Sequence, residues 1–152
     1  MSVVLRQWGA AIAVVLVPAF AVARAPLTLH VDGARGRTTW DSVFTAEQAT
    51  RGQATYGRTC ARCHQATLGG ADQSPALAGG AFLTNWHGQT LGDLHDRVRA
   101  TMPSDAPGTY TRKEVADVIA YVLSFNGFPA GTVELPVDDG ALKAIVFSAT
   151  KP

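Results

Sequence analysis

Cys60-Ala61-Arg62-Cys63-His64 constrains the fold of this chain more than any other stretch. Two thiols three positions apart, followed at once by an imidazole, are what covalent attachment of a haem requires, each Cys adding to one vinyl group. A histidine directly after the second Cys lies under a porphyrin tethered in this way, and His64 is the expected proximal iron ligand. A redox dithiol would share the two cysteines but would need alternating strands and helices around them. A structural zinc site needs four ligands, and beyond Cys60 and Cys63 only scattered histidines remain.

The chain has 152 residues, enough for one domain with a sizeable core. Apolar residues make up 47% and charged residues 16%, which excludes a disordered chain and gives no basic patch for nucleic acid. Met1 to Ala23 reads as a secretory signal: Arg6 supplies the positive start, Trp8 to Phe20 is almost wholly apolar, and Ala21-Val22-Ala23 gives small residues for cleavage. An uncleaved anchor is the alternative, although the uncharged run is short for a span of roughly 20 residues. Of the 13 Lys and Arg, the leader holds Arg6, so 12 remain against 12 Asp and Glu. Strong electrostatic steering toward an anionic partner is not expected.

Residues 24–39 lack apolar periodicity and are expected to form a loose arm. Thr45 and Gln48 then make a capping box that opens a helix over about Ala46 to Thr59. Gly52, Tyr56 and Cys60 recur every four residues on one face of it, the glycine allowing a close helix crossing. The stretch from Gln65 to Gly88 is rich in glycine and is expected to be loop rather than long elements, lying over the haem. Within it a backbone carbonyl near Pro75 is placed to accept the Nδ1 proton of His64. Leu77 is expected to pack on the porphyrin. Phe82, Leu83 and Trp86 form a small apolar group, with the Trp86 N–H a candidate donor to a haem propionate.

Thr90 and Asp93 open a second helix with Leu91, Leu94 and Val98 facing inward, ending near Ala100. Met102-Pro103 follows. Proline keeps Met102 out of helical geometry, so its thioether can point at the iron as the sixth ligand; His87 and His95 are the competitors, and His30 lies in the arm. Thr111 and Glu114 open the last main helix, with Tyr110 and Val115 as a hydrophobic staple. Its apolar stripe of Val115, Val118, Ile119, Val122 and Phe125 is expected to cross the Gly52 and Tyr56 face, stopping at Asn126-Gly127. Leu142, Ile145 and Phe147, in an extension from residue 132 to 152, are available to pack back on the domain.

Laid out in this order, residues from Trp40 to about Gly131 resemble a class I monohaem cytochrome c. The resemblance implies an all-α cytochrome c fold, with three main helices and glycine-rich loops around one covalent haem c. It implies thioether links at Cys60 and Cys63 and iron ligands at His64 and Met102. It also implies a periplasmic address, since bacteria join haem to such thiols outside the cytoplasmic membrane. More narrowly, Trp40-Asp41-Ser42-Val43-Phe44-Thr45, Met102-Pro103 with Pro107-Gly108, and Val118-Ile119-Ala120-Tyr121 leading to Asn126-Gly127-Phe128-Pro129 resemble small periplasmic cytochromes akin to those serving quinoprotein alcohol dehydrogenases. The expected role is one-electron transfer without an enzymatic reaction. Partners would be a periplasmic dehydrogenase as donor and an oxidase or another cytochrome as acceptor, with membrane contact only through an uncleaved leader or a partner complex. Two other readings stand beside it. A haem enzyme or gas sensor would leave the distal side open and use His87 or His95; a structural or assembly role in a respiratory complex would use the arm or tail as its contact.

Overall fold

The computed structural model describes residues 36–151. The expected secretory signal at 1–23 and most of the expected arm, with His30, lie outside the described residues. In chain order the elements are β1 (Arg37–Thr38), α1 (Ala46–Thr59), α2 (Ala61–His64), α3 (Gly79–Trp86), α4 (Leu91–Thr101), α5 (Arg112–Phe125), α6 (Asp139–Lys143) and β2 (Ile145–Val146). Among the described residues no helix is long and apolar enough to cross a membrane.

Helix starts follow their caps. Thr90 and Thr111 each accept from the backbone of the residue three ahead, and Asp93 and Glu114 reach back to the cap N–H, completing two capping boxes at α4 and α5. At α1 the box is only half made. Thr45 accepts from the Gln48 backbone, but the buried Gln48 side chain turns away and exchanges two hydrogen bonds with the main chain of Leu135, at 3.1 and 2.7 Å. A buried amide needs both its donor and its acceptor satisfied, and the passing C-terminal segment offers both.

The central packing unit is the crossing of α1 and α5. A Cβ built on Gly52 would lie 1.8 Å from the carbonyl oxygen of Asp117, so only glycine permits this approach. Beside it the Tyr56 and Tyr121 rings sit 5.2 Å apart, and the Tyr56 hydroxyl donates to Gln65 O at 2.7 Å. Eight of the fourteen residues of α5 are buried, because one side of the helix meets α1 and another lines the site described below. Phe125 departs from the expected stripe: it is 47% exposed and only edges against Tyr121.

Asp117 is the buried charge of this crossing. Burial alone would raise its carboxyl, but hydrogen bonds from Arg51 at 3.0 and 3.1 Å, with Lys113 at 3.3 Å, outweigh that and hold it below the ordinary carboxylate range. A carboxylate depressed in the folded state contributes stability that is full above the unfolded value and lost as pH falls through the folded one. Asp117→Asn should therefore cost about 1.5–3 kcal/mol at pH 7. It should also flatten the loss of stability that the native protein shows below about pH 4, as read by denaturant unfolding at pH 7 and pH 3.

Two segments differ from expectation. Gly79 to Trp86 is helical, where a loop was expected; Phe82, Leu83 and Trp86 are spaced as one helical face, and Phe82 is buried. The end of the expected arm is ordered: Arg37–Thr38 pairs in parallel with Ile145–Val146, and Thr39 is fully buried. Its hydroxyl exchanges hydrogen bonds with the Ser148 backbone, and Trp40 Nε1 donates to Ser148 O at 3.0 Å. The extension beyond Leu135 thus closes the fold. Leu142, Ile145 and Phe147 are fully buried, and the Phe147 ring meets Phe82 at 5.7 Å and Phe128 at 5.4 Å.

Candidate functional site

A cavity of about 1320 Å³ opens between α2, α3, α4 and α5. All seven residues singled out from the sequence line it: Cys60, Cys63 and His64 at α2, Pro75 and Leu77 in the following loop, Trp86 at the end of α3, and Met102 after α4. Much of the remaining wall is aliphatic, from Leu94 and Val98 of α4 and Val115, Val118, Ile119 and Val122 of α5. Those four α5 residues are the buried stripe of the last main helix, so one helix serves both the core and the cavity.

The histidine of the motif is set in place by its neighbours. His64 is buried, and its Nδ1 lies 2.8 Å from the carbonyl oxygen of Pro75. A ring that donates from Nδ1 to a carbonyl keeps its lone pair on Nε2, the form a metal ligand needs. The loop carrying Pro75 is fixed from several directions. Gly70 has φ +74°, and a Cβ there would come within 2.7 Å of the Pro75 carbonyl carbon. Leu77 N donates to Leu68 O at 2.8 Å, with Leu68 fully buried.

Cys60 and Cys63 carry free thiols, one half-buried and one exposed. Burial pushes the Cys60 thiol up, partly offset by the hydroxyl of Thr59 at 3.5 Å. Met102 is extended, with φ −122° and ψ 145°, and is half-buried; its N–H closes α4 on Val98 O. The two histidines that would compete for the sixth position are engaged elsewhere and do not line the cavity. His87 Nδ1 accepts from Ala149 N at 3.1 Å, and His95 is fully buried with Nε2 3.1 Å from Arg112 O.

Sequence reasoning missed two groups that frame this site. Arg62, between the two cysteines, places one guanidinium nitrogen 2.6 and 2.7 Å from the oxygens of Asp105, bridging α2 to the loop after Met102. Asn126, read only as a helix stop, caps α5 and also holds the loop on the His64 side, donating to Leu77 O and accepting from Gly79 N, both at 3.0 Å. Asparagine at a helix end was the available signal; its second role depends on a loop far away in sequence.

Residues 47–122 match the family described as cytochrome c oxidase, cbb3-type, subunit III, which is half of the chain. The chain belongs to this family. A member of this cytochrome family has the all-α cytochrome c fold and carries covalently bound haem c, the cofactor for which Cys60 and Cys63 have the attachment spacing. The deep apolar cavity, with two thiols and an imidazole along its edge, fits that group. Redox protein partners follow in general terms from the same membership. Among solved structures the chain is similar to the sulfane dehydrogenase SoxCD from Paracoccus pantotrophus, with 21% identity and a TM-score of 0.46, over 70% of this chain and 61% of that one. No curated protein matches the sequence.

Proposed function

We propose that the protein is an exported one-electron carrier whose haem c is joined to Cys60 and Cys63 and ligated by His64 and Met102. The observation that carries this is the shared cavity: it gathers both thiols, the His64 ring and the only thioether among the described residues, while His87 and His95 are engaged outside it. Bound there, haem c supplies a ferric/ferrous couple. Pro75 O orients the His64 ring and fixes its tautomer. Met102, released from helical geometry by Pro103, would hold the iron through its thioether together with His64, and with both ligands taken no position would be left for a substrate. Leu77, Trp86 and the α4 and α5 aliphatic side chains exclude water, and a dry wall keeps the reorganisation on electron transfer small.

The proposed donor is a periplasmic dehydrogenase, of the quinoprotein kind that the segments around Trp40, Met102 and Asn126 resemble. The proposed acceptor is a respiratory oxidase or another cytochrome, in keeping with the oxidase named in the family description. Potentiometric titration of the haem-loaded protein tests the ligation. A single one-electron wave is expected, and Met102→His, which replaces a thioether by an imidazole, should move it to a lower potential. An unchanged midpoint in that variant would remove Met102 from the iron.

A further inference from the structure

On the face of α4 away from the haem cavity, one buried polar atom has no hydrogen-bond partner among the described residues: Nδ1 of His95. His95 is fully buried, and its Nε2–H donates to the carbonyl of Arg112 at 3.1 Å. That bond fixes the tautomer, so Nδ1 carries an unshared lone pair. Burial also pushes the imidazole below its ordinary range, which keeps the ring neutral. A buried acceptor without a donor is costly and rare in folded proteins.

What faces this lone pair is more acceptor. Asp96 Oδ1 lies 3.8 Å away, beyond hydrogen-bond reach, and the ligand atoms of His95, Asp96 and Asp139 all lie within 4.8 Å of one another. Both carboxylates are about half exposed, so a solute can reach them from solvent. One imidazole nitrogen and two carboxylates are a donor set for a borderline divalent cation, with water completing the coordination. The second ring nitrogen is already tied to a backbone carbonyl, as metal-ligating histidines usually are. Three cations stand nearby: Arg112 pairs with Asp139, Lys143 Nζ is 3.9 Å from Asp96, and Arg99 lies beside Asp96 and Arg112. Arg112 and Lys143 each engage a carboxylate, which has further lone pairs to offer, and none of the three hydrogen-bonds to Nδ1.

We propose that His95, Asp96 and Asp139 form a second metal site, selective for Zn²⁺ or a cation of like chemistry, that pins α6 to α4. Such a cation joins the C-terminal extension to the helix leading into Met102. The ligands sit on elements that the fold already packs together, with their ligand atoms within 4.8 Å of one another, and binding would draw Asp139 partly away from Arg112.

Zinc titration of the haem-loaded full chain, by calorimetry in a buffer that does not chelate, tests this. The expected result is saturable binding of one Zn²⁺ by this site, weakened about tenfold or more by Asp96→Asn or Asp139→Asn. The visible haem spectrum should not change. His87→Gln, away from the cluster, should leave the affinity as it is. Zinc should also raise the unfolding temperature of the native protein but not of the Asp variants, because only the folded chain assembles the site. The two Asp variants carry the test, since they are exposed; His95→Gln, in the core, should abolish binding if it folds. Absence of saturable binding, or an affinity indifferent to both Asp substitutions, would overturn the proposal.

Discussion

Replacing both Cys60 and Cys63 by alanine should leave a chain that collects haem poorly and shows no cooperative thermal melt. The reason lies in what surrounds the cavity. Leu94, Val98, Val115, Val118, Ile119 and Val122 point a continuous apolar wall into a space of about 1320 Å³. Holding even a tenth of such a volume as a dry void costs about 3 kcal/mol, against a total stability of about 5–15 kcal/mol for an ordinary domain. Without its cofactor the wall must collapse on itself or admit water, and either outcome pulls α4 away from α2 and α3. Helical content should survive in part, with exposed apolar surface and loose side-chain packing. Far-ultraviolet circular dichroism with a thermal scan reads this directly. A cooperative melt with native-like helical signal in the haem-free double variant would contradict it.

Gly52→Ala should be the most damaging single methyl that can be added to α1. The new carbon would sit 1.8 Å from the Asp117 carbonyl oxygen and 3.0 Å from Tyr121 Cβ, and the first of these is backbone in the middle of a buried helix. No rotamer relieves that contact. The helices must part by more than an ångström, loosening the ring contact of Tyr56 and Tyr121 and the Arg51 bonds to Asp117. A cost of about 3 kcal/mol or more is expected, or a fall of roughly 10 °C or more in Tm. Gly57 supplies the control on the same helix. It is exposed, and a Cβ there meets nothing within 4 Å. Gly57→Ala should be neutral or stabilise by about 0.5–1 kcal/mol, so equal effects at the two positions would refute the close-crossing account.

The parts of this fold that were legible in advance were those with local causes. Thr45, Thr90 and Thr111 mark the starts of α1, α4 and α5 because a hydroxyl satisfies backbone N–H groups wherever the helix packs. The crossing of α1 and α5 was legible because glycine and tyrosine at a spacing of four leave a cleft that an apolar stripe can fill. What escaped had distant causes. The turning of Gln48 to Leu135 depends on a segment 87 residues away, and the pairing of Arg37–Thr38 with Ile145–Val146 on one more than 100 residues away. Strands of two residues also have no period to detect. For α3 the misleading feature was Gly79-Gly80, which reads as loop; Gly79 has φ +80°, yet it stands at the first helical turn, with the helical face of Phe82, Leu83 and Trp86 behind it.

The site divides in the same way. Cys60, Cys63 and His64 are local, and Met102, singled out through its proline, lines the same cavity. The Arg62 link to Asp105 and the hold of Asn126 on Leu77 tie the two loops that flank the cavity to α2 and to the end of α5, and neither partner announces itself in sequence. These contacts bear on how firmly Pro75 and Met102 are presented, while the chemistry proposed for the site rests on the four side chains that the motif and the Met-Pro pair identify.

The visible spectrum of protein matured in a periplasm, recorded oxidised and reduced, with and without carbon monoxide, tests the central claim most directly. The account predicts a low-spin haem with a methionine-to-iron charge-transfer band and no response to carbon monoxide, and loss of that band with gain of carbon monoxide binding in Met102→Ala. A high-spin haem that binds carbon monoxide readily in the native protein would contradict it and would mean an open distal site.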